Sequence, residues 1–174
     1  MRACKPRFVT AIIVTAILAA ATNLHAQTKT FVSDNVPKSI NDHQTITSSI
    51  TVTEMSTYIT NVTVVLDDID HTCVQDLKIC LISPAGTCVE LLNAIGVSGD
   101  NFTVTVLDDD APLHITYGLA PFTASFQPSQ CLAKLESENP NGAWKLQITD
   151  TAAPNTGMLN CWSSPSRPER RSTG

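Results

Sequence analysis

Short runs of alternating apolar and polar residues, separated by turn-forming residues, recur from residue 44 onward and constrain the fold of this chain most strongly. Ile46, Ile50 and Val52, for example, are separated by serine and threonine. A period of two places successive side chains on opposite faces of the backbone, which is typical of a half-buried strand. We predict strands over residues 46–52, 59–66, 77–81, 88–91, 102–107, 114–117, 144–148 and 158–162, with one helical turn at 130–136. The pattern therefore predicts an all-β fold of two antiparallel sheets, a sandwich or a barrel.

One hairpin is specified particularly clearly. Two alternating runs, 77–81 and 88–91, flank the segment Ser83-Pro84-Ala85-Gly86. Proline at the second position and glycine at the fourth position are typical of a tight β-turn. We therefore predict that the two runs pair as neighbouring antiparallel strands.

The first 26 residues have the three-part organisation of a secretory signal peptide. Arg2, Lys5 and Arg7 form a positive segment, an apolar run covers residues 8–21, and Ala26 is a small residue suited to cleavage. A membrane anchor is the alternative, but the apolar run is shorter than the ~20 residues that a spanning helix needs. We predict cleavage after Ala26, a secreted protein without a membrane segment, and one domain over residues 27–162.

The predicted domain is strongly acidic. Residues 27–162 contain five lysines, no arginine and fifteen aspartates and glutamates, which gives a formal charge of −10. Such a surface repels a phosphate backbone, so we expect no nucleic-acid partner, and it attracts cations. Residues 163–174 are basic and contain no aliphatic or aromatic residue, which predicts a disordered tail.

Five cysteines remain after the predicted cleavage, and secretion would place them where disulfides form: Cys73, Cys80, Cys88, Cys131 and Cys161. The odd number leaves at least one free thiol. Cys80 and Cys88 fall on the polar phase of the two hairpin strands, so they share a face and can bond if their Cα atoms lie within ~6 Å. Cys131 and Cys161 are a second candidate pair. The chain has no CxxC spacing, which argues against a zinc site.

Several motifs occur in the order in which a known family has them. They are Asp70-His71-Thr72, Asp76-Leu77-Lys78-Ile79, Ser83-Pro84-Ala85-Gly86-Thr87, Asn101-Phe102-Thr103-Val104, Asp108-Asp109-Asp110-Ala111, Ala120-Pro121-Phe122-Thr123 and Asn141-Gly142-Ala143-Trp144. In these motifs the chain resembles the P domain, or P/Homo B domain, of kexin- and furin-like proprotein convertases and bacterial subtilisin-like serine proteases. The resemblance implies a jelly-roll-like, galactose-binding-like antiparallel sandwich of about eight strands. It also implies a domain that stabilises or regulates a neighbouring protease without supplying catalytic residues.

We predict no catalytic residues in this chain. A subtilisin-type protease needs serine, histidine and aspartate in contact, together with an oxyanion hole. The predicted mature chain has only His43, His71 and His114, and no serine stands in a Gly-x-Ser-x-Gly elbow. Asp70 and Thr72 flank His71, which favours a hydrogen-bonded structural histidine.

Aspartates are concentrated in two places that we predict to be strand-end loops. The candidate cation ligands are Asp67, Asp68, Asp70, Asp76, Asp108 and Asp109. Calcium prefers six to eight oxygen ligands on loops, and the loops of a sandwich converge at its two poles. We therefore predict a calcium site at which the two groups meet. The alternative is that these residues cap turns and face solvent.

Three functions stay open at this point. The first is a secreted, non-catalytic module that stabilises or binds a separately encoded subtilisin-like protease. The second is a fragment of a longer secreted serine protease whose activity lies in another domain. The third is an adhesion or carbohydrate-binding module, for which Tyr58, Tyr117 and Trp162 are the candidate sugar-stacking residues.

Overall fold

The computed structural model describes residues 29–55, 58–95 and 99–166 of the chain. These residues form ten strands: β1 Lys29–Val32, β2 Lys38–Ile40, β3 Thr45–Val52, β4 Val64–His71, β5 Leu77–Ile82, β6 Cys88–Asn93, β7 Phe102–Leu107, β8 Ser125–Phe126, β9 Gly142–Asp150 and β10 Gly157–Ser166. Three short 3₁₀ turns cover Val74–Asp76, Ile115–Tyr117 and Leu132–Leu135. The predicted signal peptide, residues 1–26, lies outside the described residues.

The strands form two sheets that pack face to face, as the alternating sequence pattern predicts. The first sheet has the order β1-β10-β4-β7-β8, with β2 also paired to β10, and the second has the order β3-β9-β5-β6. All pairings are antiparallel except that of β7 with β8, which is parallel. The all-β sandwich is therefore confirmed, with ten strands rather than eight among the described residues and one sheet of mixed direction.

The core lies between the sheets and is built from the inward-facing aliphatic and aromatic side chains of both. Leu66, Ile79 and Leu146 are fully buried there, and Trp162 of β10 is the largest fully buried side chain among the described residues. The indole Nε1 of Trp162 donates a 2.8 Å hydrogen bond to Oγ of Ser48 in β3, and Ser48 donates in turn to Asn35. This chain of bonds satisfies a buried donor and links the two sheets, so it fixes their relative position.

The β5–β6 hairpin is confirmed. Ile79 pairs with Leu92 and Leu81 with Val89, and the turn is closed by a 3.0 Å bond from the Ser83 amide to the Thr87 carbonyl. Gly86 has φ of +94°, a conformation that favours glycine. The structure joins Cys80 and Cys88 by a disulfide across this hairpin, with the Cα atoms 6.2 Å apart.

Three predicted elements differ from the structure. The strand expected over residues 59–66 lies at Val64–His71, and the segment expected to be a strand at 114–117 is a 3₁₀ turn. The prediction that the last strand stops at Trp162 and that the tail starts at residue 163 is also wrong. β10 continues to Ser166, and the side chains of Ser163 and Ser164 are buried. Residues 167–174 of the predicted tail lie outside the described residues.

A polar residue can continue a strand when its hydroxyl has a partner, which explains the longer β10. Ser163 Oγ donates to the Asp67 carboxylate at 2.8 Å, and Ser164 Oγ donates to the Thr63 carbonyl at 3.1 Å. The backbone of this extension pairs with β1 through Lys29↔Ser166 and Val32↔Ser163. In the described part of the chain, no helix is both long and apolar enough to cross a bilayer.

Candidate interaction surface

The connection between β7 and β8, residues 108–124, leads to β8 at the edge of the first sheet. Its residues differ in exposure: Ile115 and Gly118 are buried, whereas Leu113, Tyr117 and Leu119 are exposed. The Gln127 amide donates to the Leu113 carbonyl at 2.8 Å, which ties the connection to the segment after β8. The connection is therefore a folded part of the domain rather than a loose loop.

Aromatic packing holds the middle of this connection. The Phe122 ring stacks on Phe102 of β7 at 5.0 Å and meets Phe126 of β8 edge-on at 5.9 Å. Gly118 lies directly against these rings, because a Cβ atom at that position would be 2.7 Å from Phe122 and 2.9 Å from Phe126. Such distances are too short for any side chain, so close packing requires glycine here.

Four exposed apolar side chains lie on this folded connection or on the adjacent strand β7, and we call them the apolar patch. They are Val104, Leu113, Tyr117 and Leu119, with exposed fractions of 59%, 42%, 74% and 73%. Val104 belongs to β7, but its neighbour Thr103 donates a backbone bond to Pro121, which brings that part of β7 beside the connection. Of these four residues only Tyr117 was identified from the sequence. A strand was predicted over residues 114–117, and a strand exposes different side chains from the turn that is observed.

The start of the connection is acidic. Asp108 accepts bonds from the Asp110 amide at 3.0 Å and from the Thr63 hydroxyl at 3.4 Å. Asp109 accepts from the amides of Leu132 and Ala133 at 2.9 and 2.8 Å, so its carboxylate caps the 3₁₀ turn Leu132–Leu135. Asp110 is exposed. Residues 79–133 contain no lysine or arginine, so no cation of that segment offsets these charges.

The six aspartates predicted to bind calcium do not come together in the structure. Asp67, Asp68 and Asp70 lie within β4 rather than on a loop. Asp70 accepts from the Asn160 side chain, and Asp76 accepts from the Asn155 side chain, each at 2.9 Å.

The expectation that the two acidic groups meet at one pole is wrong for a topological reason. Asp108 contacts Thr63, immediately before β4 begins, whereas Asp70 and His71 stand where β4 ends. A strand of eight residues separates the two positions by about 20 Å. No three His, Cys, Asp or Glu side chains within the described ranges are grouped as a metal site. Calcium binding itself stays a prediction.

In a catalytic triad one histidine contacts both a carboxylate and a hydroxyl, but here two different histidines make these two contacts. His71 Nε2 lies 3.2 Å from Oδ2 of Asp150, with both side chains fully buried, and His71 Nδ1 lies 2.8 Å from the Cys73 carbonyl. His114 Nδ1 instead lies 2.9 Å from the Thr116 hydroxyl. Among the described residues, no histidine contacts both a carboxylate and a hydroxyl. The His71–Asp150 pair joins the end of β4 to the end of β9 and so connects the two sheets, as expected of a structural histidine.

Two of the free thiols, those of Cys131 and Cys161, have raised pKa values. A hydrogen bond to Asp109, together with its charge, raises the pKa of the Cys131 thiol above its ordinary value. Burial, followed by the charge of Asp67, raises the pKa of the Cys161 thiol. Because the thiolate is the reactive form, a raised pKa makes both cysteines weaker nucleophiles at neutral pH. Cys131, Cys161 and Cys73 are free, so the candidate Cys131–Cys161 pair is not formed.

One of the three candidate sugar-stacking residues is excluded by burial. Trp162 is fully buried between the sheets and its indole nitrogen is bonded to Ser48. A stacking platform needs an accessible ring face, so Trp162 cannot serve as one. Tyr58 and Tyr117 are exposed.

The fold and its surface define a β-sandwich module with an exposed apolar patch and three consecutive aspartates, Asp108 to Asp110, in the same segment of the chain. The sequence matches the family described as the proprotein convertase P-domain over residues 59–163. The chain therefore belongs to the proprotein convertase P-domain family.

The individual proteins to which this chain is similar include one curated relative and two solved structures. Leupeptin-inactivating enzyme 1 of Streptomyces exfoliatus is 31% identical over 128 residues, which are 74% of this chain and 23% of that protein. The serine protease of Aeromonas sobria in complex with its chaperone aligns with a TM-score of 0.49 and 21% identity, over 83% of this chain and 27% of that one. The same protease alone aligns with a TM-score of 0.45 and 20% identity, over 82% and 27% of the two chains.

Proposed function

We propose that this chain is a secreted, non-catalytic P domain that binds and stabilises a subtilisin-like serine protease. Membership of the P-domain family supports the link to that class of protease. The absence of catalysis is proposed from one observation, namely that no single described histidine has both a carboxylate and a hydroxyl partner. His71 is buried against Asp150 without a hydroxyl partner, and His114 has a hydroxyl partner without a carboxylate. A serine nucleophile needs a base that is itself oriented by a carboxylate.

Secretion is supported by two features of the chain. The N-terminal order of positive charge, apolar run and small residue matches a signal peptide. The Cys80–Cys88 disulfide is a bond that persists mainly in oxidising compartments outside the cytosol.

Two measurements on purified residues 27–174 test this function. The chain alone should hydrolyse no peptide substrate, with subtilisin as the positive control. Mixed with a purified subtilisin-like catalytic domain encoded in the same genome, it should raise the thermal unfolding midpoint of that catalytic domain, because a ligand that binds only the folded state stabilises it. An equal amount of an unrelated acidic β-sandwich is the control for charge. Hydrolysis by the chain alone would exclude the non-catalytic reading, and an unchanged midpoint would exclude stabilisation.

A second candidate has an observation of its own. The chain spans only 23% of the length of the curated relative that it matches, which is the share expected of one domain in a larger enzyme. In that case the P domain acts on a catalytic domain of the same polypeptide. Mass spectrometry of the secreted product decides between the two: a mature mass of one domain supports the separate module, and a mass several times larger supports the longer protease.

A further inference from the structure

We propose that the apolar patch formed by Val104, Leu113, Tyr117 and Leu119 is the surface that binds the protease partner, and that the partner presents an apolar area ringed by lysine and arginine. This inference rests on the proposed function. It adds the place of contact on this domain and the chemistry by which the partner is recognised.

Most of the large exposed apolar side chains of the described domain lie in this patch. Six large apolar side chains are exposed in the described part of the chain, and four of them belong to the patch. Single exposed leucines are ordinary, but three exposed apolar side chains on one connection, with a fourth on the adjacent strand, mark an interaction surface. Tyr117 is the most exposed of the six, and tyrosine is among the residues that contribute most to binding energy when covered.

Hydrogen bonds hold the backbone of the connection that carries the patch. The Tyr117 amide donates to His114 at 2.9 Å, the Gly118 amide to Ile115 at 3.0 Å and the Phe122 amide to Leu119 at 2.9 Å. The buried ring of Phe122 anchors the same segment from below. A surface whose backbone is already fixed loses less conformational entropy when it binds, so its apolar area converts more fully into affinity.

The segment that carries the patch is negatively charged. Asp108, Asp109 and Asp110 lie between Val104 and Leu113 in the sequence, and residues 79–133 contain no lysine or arginine. Asp110 is exposed at the beginning of the connection. A partner with an acidic rim would be repelled here, whereas a basic rim would be attracted and would dock faster. Charge complementarity therefore selects a basic partner for this face.

The experiment measures binding of purified residues 27–174 to a panel of purified subtilisin-like catalytic domains encoded in the same genome. Tyr117→Ser and Leu119→Ser remove apolar area from the patch. The matched control is Val32→Ser, because Val32 is also exposed (56%) but belongs to β1, at the opposite edge of the same sheet. We expect each patch variant to weaken binding about tenfold or more and the control to stay within about twofold of wild type.

Charge reversal tests the chemistry of the partner separately. Asp110→Lys should slow association about tenfold at low salt, and the difference should shrink as salt is added. The control is Asp100→Lys, because Asp100 is exposed just before β7 begins, at the other end of that strand. Circular dichroism and thermal melts should be the same for all these variants as for wild type, since exposed substitutions seldom change stability by more than ~0.5 kcal/mol.

The outcomes separate this inference from the function on which it rests. If the wild-type chain binds no catalytic domain of the panel, the proposed function is wrong and the inference falls with it. If the wild-type chain binds but the patch variants bind equally well, only the inference is wrong. If the wild-type chain dimerises in light scattering and the patch variants do not, the patch binds a second copy and the proposed partner is wrong.

Discussion

At the level of single residues, the most consequential pair in the domain is His71 with Asp150. Both side chains are fully buried, and their 3.2 Å contact joins the end of β4 in one sheet to the end of β9 in the other. The two carboxylate oxygens of Asp150 have different partners: Oδ1 accepts from the Ala152 amide, and Oδ2 contacts His71. Gly157 of β10 packs on the same histidine, since a Cβ atom there would lie 2.6 Å from the His71 ring.

Replacing this histidine should be costly. In His71→Asn the shorter side chain cannot reach Asp150, so a buried carboxylate oxygen loses its partner and a cavity forms. We expect the free energy of unfolding to fall by about 3 kcal/mol. Urea denaturation measures it.

The matched control is His43→Asn. His43 is exposed and has φ of +56°, a conformation that asparagine also accepts readily. This control should leave stability within ~0.5 kcal/mol of wild type. Equal losses from the two variants would show that the buried pair has no special role in stability.

At the level of elements, the β5–β6 hairpin combines a strong sequence signal with a covalent bond. The Cys80–Cys88 disulfide closes a loop with a sequence separation of 8. Constraining the unfolded chain in a loop of that length contributes about 2.5 kcal/mol in the chain-entropy treatment. We expect Cys88→Ala to lower the unfolding free energy by about that amount.

Reduction provides an internal check on this prediction. Dithiothreitol should destabilise the wild-type chain as much as Cys88→Ala does and should have no effect on that variant. Cys131→Ala is the control for loss of a cysteine, because Cys131 is exposed and free. A variant that retains wild-type stability would mean that strand pairing alone determines the strength of the hairpin.

The extension of β10 beyond Trp162 allows a second test at this level. Ser163–Ser166 provide the whole pairing partner of β1, and Ser163 also satisfies the carboxylate of Asp67. A chain ending at Trp162 would lose these bonds, and at about 1 kcal/mol for each of several hydrogen bonds it should be destabilised by ~3 kcal/mol or more. Thermal melts compare it with a chain ending at Ser166, which should match the full chain. Equal midpoints for the two truncated chains would contradict a structural role for the extension.

The strands that the sequence predicted well are those in which apolar and polar residues alternate strictly. Strand β4 shows why another predicted strand was placed at the wrong residues. Its buried residues include Leu66 and Ile69, an odd spacing that a period of two cannot reproduce. The pairing of β4 with β10 shifts register between Leu159↔Ile69 and Cys161↔Asp68, and again between Cys161↔Asp68 and Ser163↔Val65. Such an irregularity shifts the phase of a strand, as a bulge does. The aspartates on the outer side of β4 interrupt the apolar pattern, so this part of the sequence resembles a loop. For that reason the candidate calcium ligands were predicted to lie on a loop.

For the molecule as a whole, the overall architecture and family were accessible from sequence, but the interaction surface was not. Ordered motifs and alternating strands depend on local chemistry that a sequence displays directly. The apolar patch depends on where a 3₁₀ turn directs Leu113, Tyr117 and Leu119, and on the packing of Gly118 against aromatic rings. That arrangement is set by tertiary contacts between β7, β8 and their connection.

Whole-molecule charge gives the last prediction. Residues 27–162 carry a formal charge of −10, and two lysine–carboxylate bridges, Lys29–Glu54 and Lys78–Glu90, are formed among the described residues. Repulsion among the remaining carboxylates destabilises the folded state and is screened by salt. We expect the thermal midpoint to rise by a few degrees between low and physiological sodium chloride.

Thermal midpoints measured with different divalent cations at the same ionic strength test the calcium prediction, because charge screening is then the same for each cation. Magnesium requires near-ideal octahedral geometry and releases water reluctantly, whereas calcium accepts irregular sets of carboxylate and carbonyl oxygens. A specific site in this acidic domain would therefore raise the midpoint more with calcium chloride than with magnesium chloride, and a chelator would reverse the difference. If β4 supplies the ligands, the double variant Asp67→Asn with Asp68→Asn should abolish that difference. If the segment after β7 supplies them, Asp108→Asn should abolish it instead. Equal midpoints with the two cations would reject a calcium site, because general screening depends on charge and not on ligand geometry.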